Sequence, residues 1–192
     1  MLSCFLMTMI PFQIVAYPPD RCPGELNAWV LEITNRLTHD SIWYSSATGS
    51  DCSGMMHRVF DSLAIRCHDL DLPDRRYRDS RAIAAYFTGN KHLHRVANPG
   101  REVRHVQPGM VLFFSNVPVD KMSKKEIPEG ICHVGIVTRV IYDEQDRIQS
   151  LELFHGRRPG TVAGKSILKA DPRTGREFRN GNQYWVAYAT ID

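Results

Sequence analysis

Long apolar runs are missing from this 192-residue chain. None reaches the roughly 18 to 20 residues of a membrane-spanning helix. Cysteine is scarce: five residues are too few for a disulfide scaffold at this length. No internal repeat and no low-complexity tract interrupts the chain, which excludes solenoid and collagen-like architectures. A strong charge imbalance is absent as well. Lys plus Arg is 24 against 21 Asp plus Glu, a net charge of +3. That mild basicity suits contact with an anionic polymer and does not demand nucleic acid, which is not expected as a partner. What remains is ordinary: 43% hydrophobic and 23% charged residues, enough for one domain with its own core.

The N-terminus bears on the compartment. Leu2 to Ala16 is apolar except for Ser3, Thr8 and Gln13, and Tyr17-Pro18-Pro19 follows. A short apolar block, a small residue and then prolines resemble a secretory signal peptide. Residues 1–16 are therefore expected to be a signal, residues 17–192 a single exported domain, and no stable membrane anchor is expected after its removal. In an oxidising compartment Cys22 and Cys67 are candidates to pair.

The first half of the mature chain has helical periodicity. Leu26, Trp29, Val30, Ile33 and Leu37 form one apolar stripe between Gly24 and Leu37. Ser41 to Ser50 reads as a loop. Met55, Met56, Val59, Phe60, Leu63 and Ala64 mark a second helix, so Cys52 stands at or near a helix N-terminus. Asp69 to Arg78 is a polar loop, and Asp79 and Ser80 are candidate caps of a third helix ending near Phe87. The second half reads as strands: Met110 to Phe114, Val134 to Tyr142, Ile148 to His155, and Tyr184 to Ile191. Asp143 to Asp146 is a turn that closes a hairpin, and Ala170 to Asn182 reads as a surface loop. Helices followed by a strand meander imply an α+β fold, with N-terminal helices packed on an antiparallel sheet.

Cys52 stands where a nucleophile belongs. The N–H groups and partial positive charge of a helix N-terminus favour the thiolate, the reactive form. Gly54 leaves room for close approach of a substrate or another backbone. A cysteine nucleophile needs a base, and the base needs an orienting group. His133 and His155 lie near the open ends of the two hairpin arms, where antiparallel pairing brings them side by side.

Four segments together resemble the NlpC/P60 family of cysteine peptidases: Asp51-Cys52-Ser53-Gly54, Pro108-Gly109-Met110-Val111-Leu112-Phe113-Phe114, His133-Val134-Gly135-Ile136-Val137 and Phe154-His155-Gly156. The resemblance runs from about Trp43 to Gly156. It implies a papain-like fold and hydrolysis of amide bonds in peptidoglycan stem peptides, typically the D-γ-glutamyl–diamino acid bond. It assigns Cys52 as nucleophile, His133 as general base and His155 as the group orienting the base. Asp51 and Ser53 become substrate-binding residues, and Tyr44 is the nearest match to the family's upstream tyrosine. Asp51 also reads as a helix N-cap. No cofactor or metal is implied; the partner is peptidoglycan or a muropeptide. The sequence departs from the family pattern in three places. Met110 replaces an acidic residue, the Tyr-x-x-Gly-Gly context is missing, and the separation of His133 and His155, 22 residues, is long. These departures leave open a non-peptidoglycan amide, as well as a toxin-like or phage-type amidase acting on another cell's wall. A non-enzymatic wall-binding module is disfavoured by the intact Cys52, His133 and His155.

The remaining polar features read as ordinary surface or core. Cys132 alternates with His133 and is expected in the core on the opposite sheet face. His92-x-His94 lacks a suitably spaced third ligand and reads as a solvated loop. Arg75, Arg76, Arg78 and Arg81 form a local basic cluster, either a solvated face or a contact for wall carboxylates.

Overall fold

The computed structural model describes residues 22–123, 126–170 and 178–191. The expected signal at 1–16 lies outside them. Three longer helices come first: α1 (Leu26–His39), α2 (Cys52–Arg66) and α3 (Ser80–Gly89). Two of them start at an aspartate cap. The Asp51 carboxylate accepts the Gly54 N–H at 2.9 Å, and Asp79 accepts the Ala82 N–H at 2.8 Å. Each satisfies a donor that the first helical turn leaves unpaired. Of the two candidates for the third cap, Asp79 takes the role and Ser80 is buried.

Strand β1 (Leu93–Arg95), the short helix α4 (Pro99–Glu102), β2 (Val111–Ser115) and the one-turn helix α5 (Ile127–Gly130) follow. The chain then forms β3 (Ile131–Tyr142), β4 (Ile148–His155), β5 (Gly164–Lys169) and β6 (Tyr184–Ala189). These strands make one antiparallel six-stranded sheet in the order β1-β6-β2-β3-β4-β5. The fold is α+β. The β3–β4 hairpin closes where expected: the Asp143 carboxylate accepts the N–H groups of Gln145 at 2.9 Å and Arg147 at 3.0 Å.

Alternation along the strands builds two cores. Phe113 and Ile136 join Ile33, Met56, Phe60 and Phe87 under the helices. Their neighbours Phe114 and Val137 face the other side, with Leu153, Phe178 and Trp185. Each such side chain contributes roughly 1.5–3 kcal/mol on full burial. Burial on both faces explains the unbroken apolar run of β2, every residue of which is buried.

Four expectations are corrected. Leu93–Arg95 is an edge strand rather than a solvated loop, with His94 stacked on the Tyr188 ring at 5.0 Å. Strand β5 lies between the expected strands; its sequence, Gly-Lys-Ser-Ile-Leu-Lys, has too little alternation to announce it. Phe178 is a core residue, so the end of the expected 170–182 surface loop is anchored; residues 171–177 lie outside the described ones. Cys132 is exposed rather than packed in the core. Cys67 is disulfide-bonded, while the side chain of Cys22 lies outside the described residues.

Candidate active site

Cys52 is the first residue of α2 and is buried, with 8% of its surface exposed. Its sulfur lies 3.4 Å from the Ser80 hydroxyl, and the Val134 and Ser53 main chains also hydrogen-bond it. Burial nevertheless dominates. It pushes the thiol above its ordinary pKa, and the Asp51 charge adds to that, against the help of Ser80 and the two backbone groups. The resting sulfur is therefore a thiol, contrary to what the helix N-terminus alone suggests. The helix effect is a fraction of a unit charge and is overcome by desolvation.

Gly54 follows in the same turn. A Cβ there would stand 1.8 Å from the Gly49 carbonyl oxygen and 2.5 Å from its carbon. The approach anticipated at Gly54 is thus that of the 44–50 loop, which lies directly against the Cys52 turn.

The two histidines meet. His133 Nε2 and His155 Nδ1 are 2.7 Å apart, and His155 Nε2 is 2.8 Å from the Ser166 hydroxyl. The β3–β4 register pairs Ile136 with Phe154. Continued by one residue, it puts Gly135 opposite His155 and His133 diagonally across from it. The pair is diagonal rather than directly side by side. A Cβ on Gly135 would lie 2.9 Å from the Phe154 carbonyl oxygen and from Leu153, so only glycine lets the strands close here.

Burial pulls the pKa of His133 well below that of a free imidazole. His155 is lowered by burial first and then by His133 and Arg157. Both rings are neutral at pH 7, and their hydrogen-bond chain has one sensible polarity. His133 Nε2–H donates to His155 Nδ1, and His155 Nε2–H donates to Ser166 Oγ. This leaves His133 Nδ1 as the basic nitrogen.

Two contacts bring the hairpin to α2. The Val134 main chain reaches the Cys52 sulfur. A Cβ on Gly156 would lie 2.7 Å from the Asp51 carbonyl and 2.8 Å from the Cys52 nitrogen. The residues flanking both histidines therefore touch Cys52 or its peptide.

Asp51 is both a cap and part of a clasp. Arg78 binds its two oxygens at 3.2 and 3.1 Å and the Ser53 hydroxyl at 2.8 Å, while Ser53 donates to Asp51 at 2.9 Å. Burial works against the Asp51 carboxylate, but Arg78, the Gly54 N–H and Ser53 outweigh it and hold its pKa below the usual range. The basic cluster is thereby dispersed. Arg75 pairs with Asp61 at 2.6 Å, Arg76 with Asp74 at 2.6 Å and Arg78 with Asp51, and Arg81 donates to the Ile131 carbonyl. Tyr44 stands close enough that Cys52 and Asp51, after burial itself, raise its phenol pKa. Cys52, His133, His155, Asp51, Ser53 and Tyr44 thus gather around one helix end.

The chain matches no family model, no curated protein and no solved structure.

Sequence reasoning missed Ser80, Arg78's role at Asp51, and Ser166. Ser80 and Ser166 lie on separate elements from the residues they touch, and no local pattern marks them. Among the described residues no group of three or more His, Cys, Asp and Glu could hold a metal ion. No described helix is long and apolar enough to cross a membrane.

Proposed function

We propose that the chain is a cysteine peptidase of papain-like, NlpC/P60 type that hydrolyses amide bonds in peptidoglycan stem peptides. The observation that carries this reading is the 2.7 Å His133–His155 pair at the strand ends that pack on the Cys52 helix turn. A lone buried cysteine needs no such pair; a nucleophile does.

The chemistry starts from a neutral thiol and a neutral imidazole. As Cys52 Sγ attacks the amide carbonyl carbon, His133 Nδ1 takes the thiol proton. The imidazolium keeps its Nε2–H on His155, whose own N–H rests on Ser166, so the base does not rotate as it is charged. The Cys52 N–H is the oxyanion donor. A side chain at Gly156 would crowd this N–H. The C–N bond then breaks, and His133 gives its proton to the leaving amine. Water, deprotonated by the same nitrogen, hydrolyses the thioester and restores the thiol. Asp51, Ser53 and Tyr44 line the approach and bind the substrate.

The test is mass spectrometry of muropeptides incubated with the protein from Tyr17 onward, beside Cys52→Ala. A new pair of stem-peptide products absent with the variant supports the proposal and identifies the bond. No product from intact or pre-digested wall eliminates it.

A further inference from the structure

A cleft lies where the histidine chain ends. It has a volume of about 450 Å³ and opens between the end of β4, β5 and the turn before β6. Small-molecule sites span roughly 300–1,000 Å³. His155, Arg157, Arg158, Ser166, Asn182 and Gln183 are among its walls, and no carboxylate is. Cys52 and His133 do not line it.

Two arginines enter the cleft without a counter-charge. Arg157 and Arg158 are exposed, and neither pairs with a carboxylate among the described residues. Their turn is pinned. The Thr161 hydroxyl donates to the Arg158 carbonyl at 2.7 Å and accepts the Arg158 N–H at 3.2 Å, and the Thr161 N–H reaches the same carbonyl at 3.1 Å. The Arg157 charge also reaches the buried His155 ring, whose pKa it holds down after burial and His133 have done so.

Ser166 adds an independent sign of a missing acceptor. Its hydroxyl accepts the His155 Nε2–H at 2.8 Å. A hydroxyl donates as well as accepts, and the Ser166 O–H has no acceptor among the described residues. The chain from His133 through His155 to Ser166 therefore runs in one direction and delivers its last donor at the wall of the cleft.

We propose that the cleft binds a carboxylate, which accepts the Ser166 O–H, pairs with Arg157 and Arg158, and so closes the hydrogen-bond chain of the two histidines. Guanidinium forks and one hydroxyl suit a flat group with two acceptor oxygens. The carboxylate arrives either free or as part of a peptide substrate. Its effect on turnover rests on the peptidase reading, whereas its binding does not. With the anion in place, Ser166 is fixed as the acceptor of His155, and the Arg157 charge is balanced beside the ring.

The experiment is a titration of the ¹⁵N-labelled full chain carrying Cys52→Ala, which stops turnover. The probes are acetate and, separately, a stem tripeptide with free carboxylates, at constant ionic strength. The Gly181 and Asn182 amides, the Arg157 and Arg158 Nε–H groups and the His155 ring nitrogens are followed. Saturable shifts in all three sets are expected. Tighter binding of the tripeptide than of acetate identifies a carboxylate carried by the substrate, and equal or weaker binding identifies a free one. Arg157→Gln combined with Arg158→Gln weakens binding about tenfold, the scale of one charge-assisted contact. Ser166→Ala removes the His155 ring response to the probe while the amide shifts persist, a split that a merely structural serine would not produce. Unsaturated shifts with both probes, or an unchanged affinity in the double arginine variant, overturn the proposal. Muropeptide cleavage by the unaltered chain without saturable binding removes the cleft site alone, and saturable binding without cleavage removes the peptidase reading alone.

Discussion

Gly156→Ala tests how the two halves of the site are joined. The new methyl carbon would lie 2.7 Å from the Asp51 carbonyl carbon and oxygen and 2.8 Å from the Cys52 nitrogen, whereas ordinary contact begins at 3.4 Å. All three neighbours are backbone atoms of the Asp51–Cys52 peptide at the capped start of α2, so no side-chain rotation relieves the clash. The end of β4 must withdraw by about 0.7 Å, the difference between those distances. Overpacking of this kind costs about 1–3 kcal/mol. For a domain of this size that is a fall in Tm of roughly 2–12 °C. The catalytic effect is larger. His155 is the adjacent residue and moves with the strand end, and a misplacement near 1 Å costs on the order of 100-fold in rate. Thermal unfolding followed by circular dichroism and kcat/KM on a stem-peptide fragment measure the two effects. Gly89→Ala is the control: nothing lies within 4 Å of a Cβ at that position. It leaves both measurements unchanged, or gains the few tenths that alanine brings to a helix end. A Gly156→Ala protein that melts and turns over like the parent refutes the packing of Gly156 against the Asp51–Cys52 peptide.

Further outcomes follow from the electrostatics and the hydrogen bonds. Because burial raises the Cys52 thiol, its alkylation rate, followed by peptide mass spectrometry, keeps rising past the ordinary thiol value of about 8.5; an inflection below neutral pH shows a resting ion pair instead. Stability falls on acidification. His133 takes up a proton at about 6.5 when unfolded but only at about 4 when folded, so the unfolded state binds more protons between those values. Urea midpoints measured across that window decline, and His133→Asn flattens the slope. Ser166→Ala removes the acceptor of the His155 Nε2–H, frees that ring to change tautomer and lowers kcat more than KM. Cys52→Ala abolishes turnover while leaving the unfolding free energy, from urea titration, within about 1 kcal/mol, since the thiol's one side-chain partner is a weak sulfur contact with Ser80 at 3.4 Å.

Much of this fold is legible in the chain because periodicity reports burial. A 3.6-residue stripe located α1 and α2, candidate caps at Asp79 and Ser80 located α3, and β-rich runs located β2, β3, β4 and β6. The aspartates at 51 and 79 announced helix starts, since a short acceptor beside unpaired N–H groups has one favourable place. The order Cys52, His133, His155 carried the candidate chemistry before any coordinate. Strands β1 and β5 were hidden because a three-residue edge and a Lys- and Ser-rich strand have no alternation to read. Phe178 was hidden by its polar neighbours.

Protonation was beyond the sequence altogether. A helix N-terminus argues for a thiolate and a histidine beside it argues for an ion pair, yet depth of burial reverses both. Depth is a property of everything packed around a group, and neighbours far apart in the chain supply it. The same holds for Ser80 against Cys52, 28 residues away, and Ser166 against His155, 11 residues away. Local sequence determined which residues cap, turn and face inward, because those preferences act within one or two turns of chain. Tertiary structure alone decided which polar groups meet, and so which of them are neutral, because hydrogen bonding and desolvation depend on distance in space.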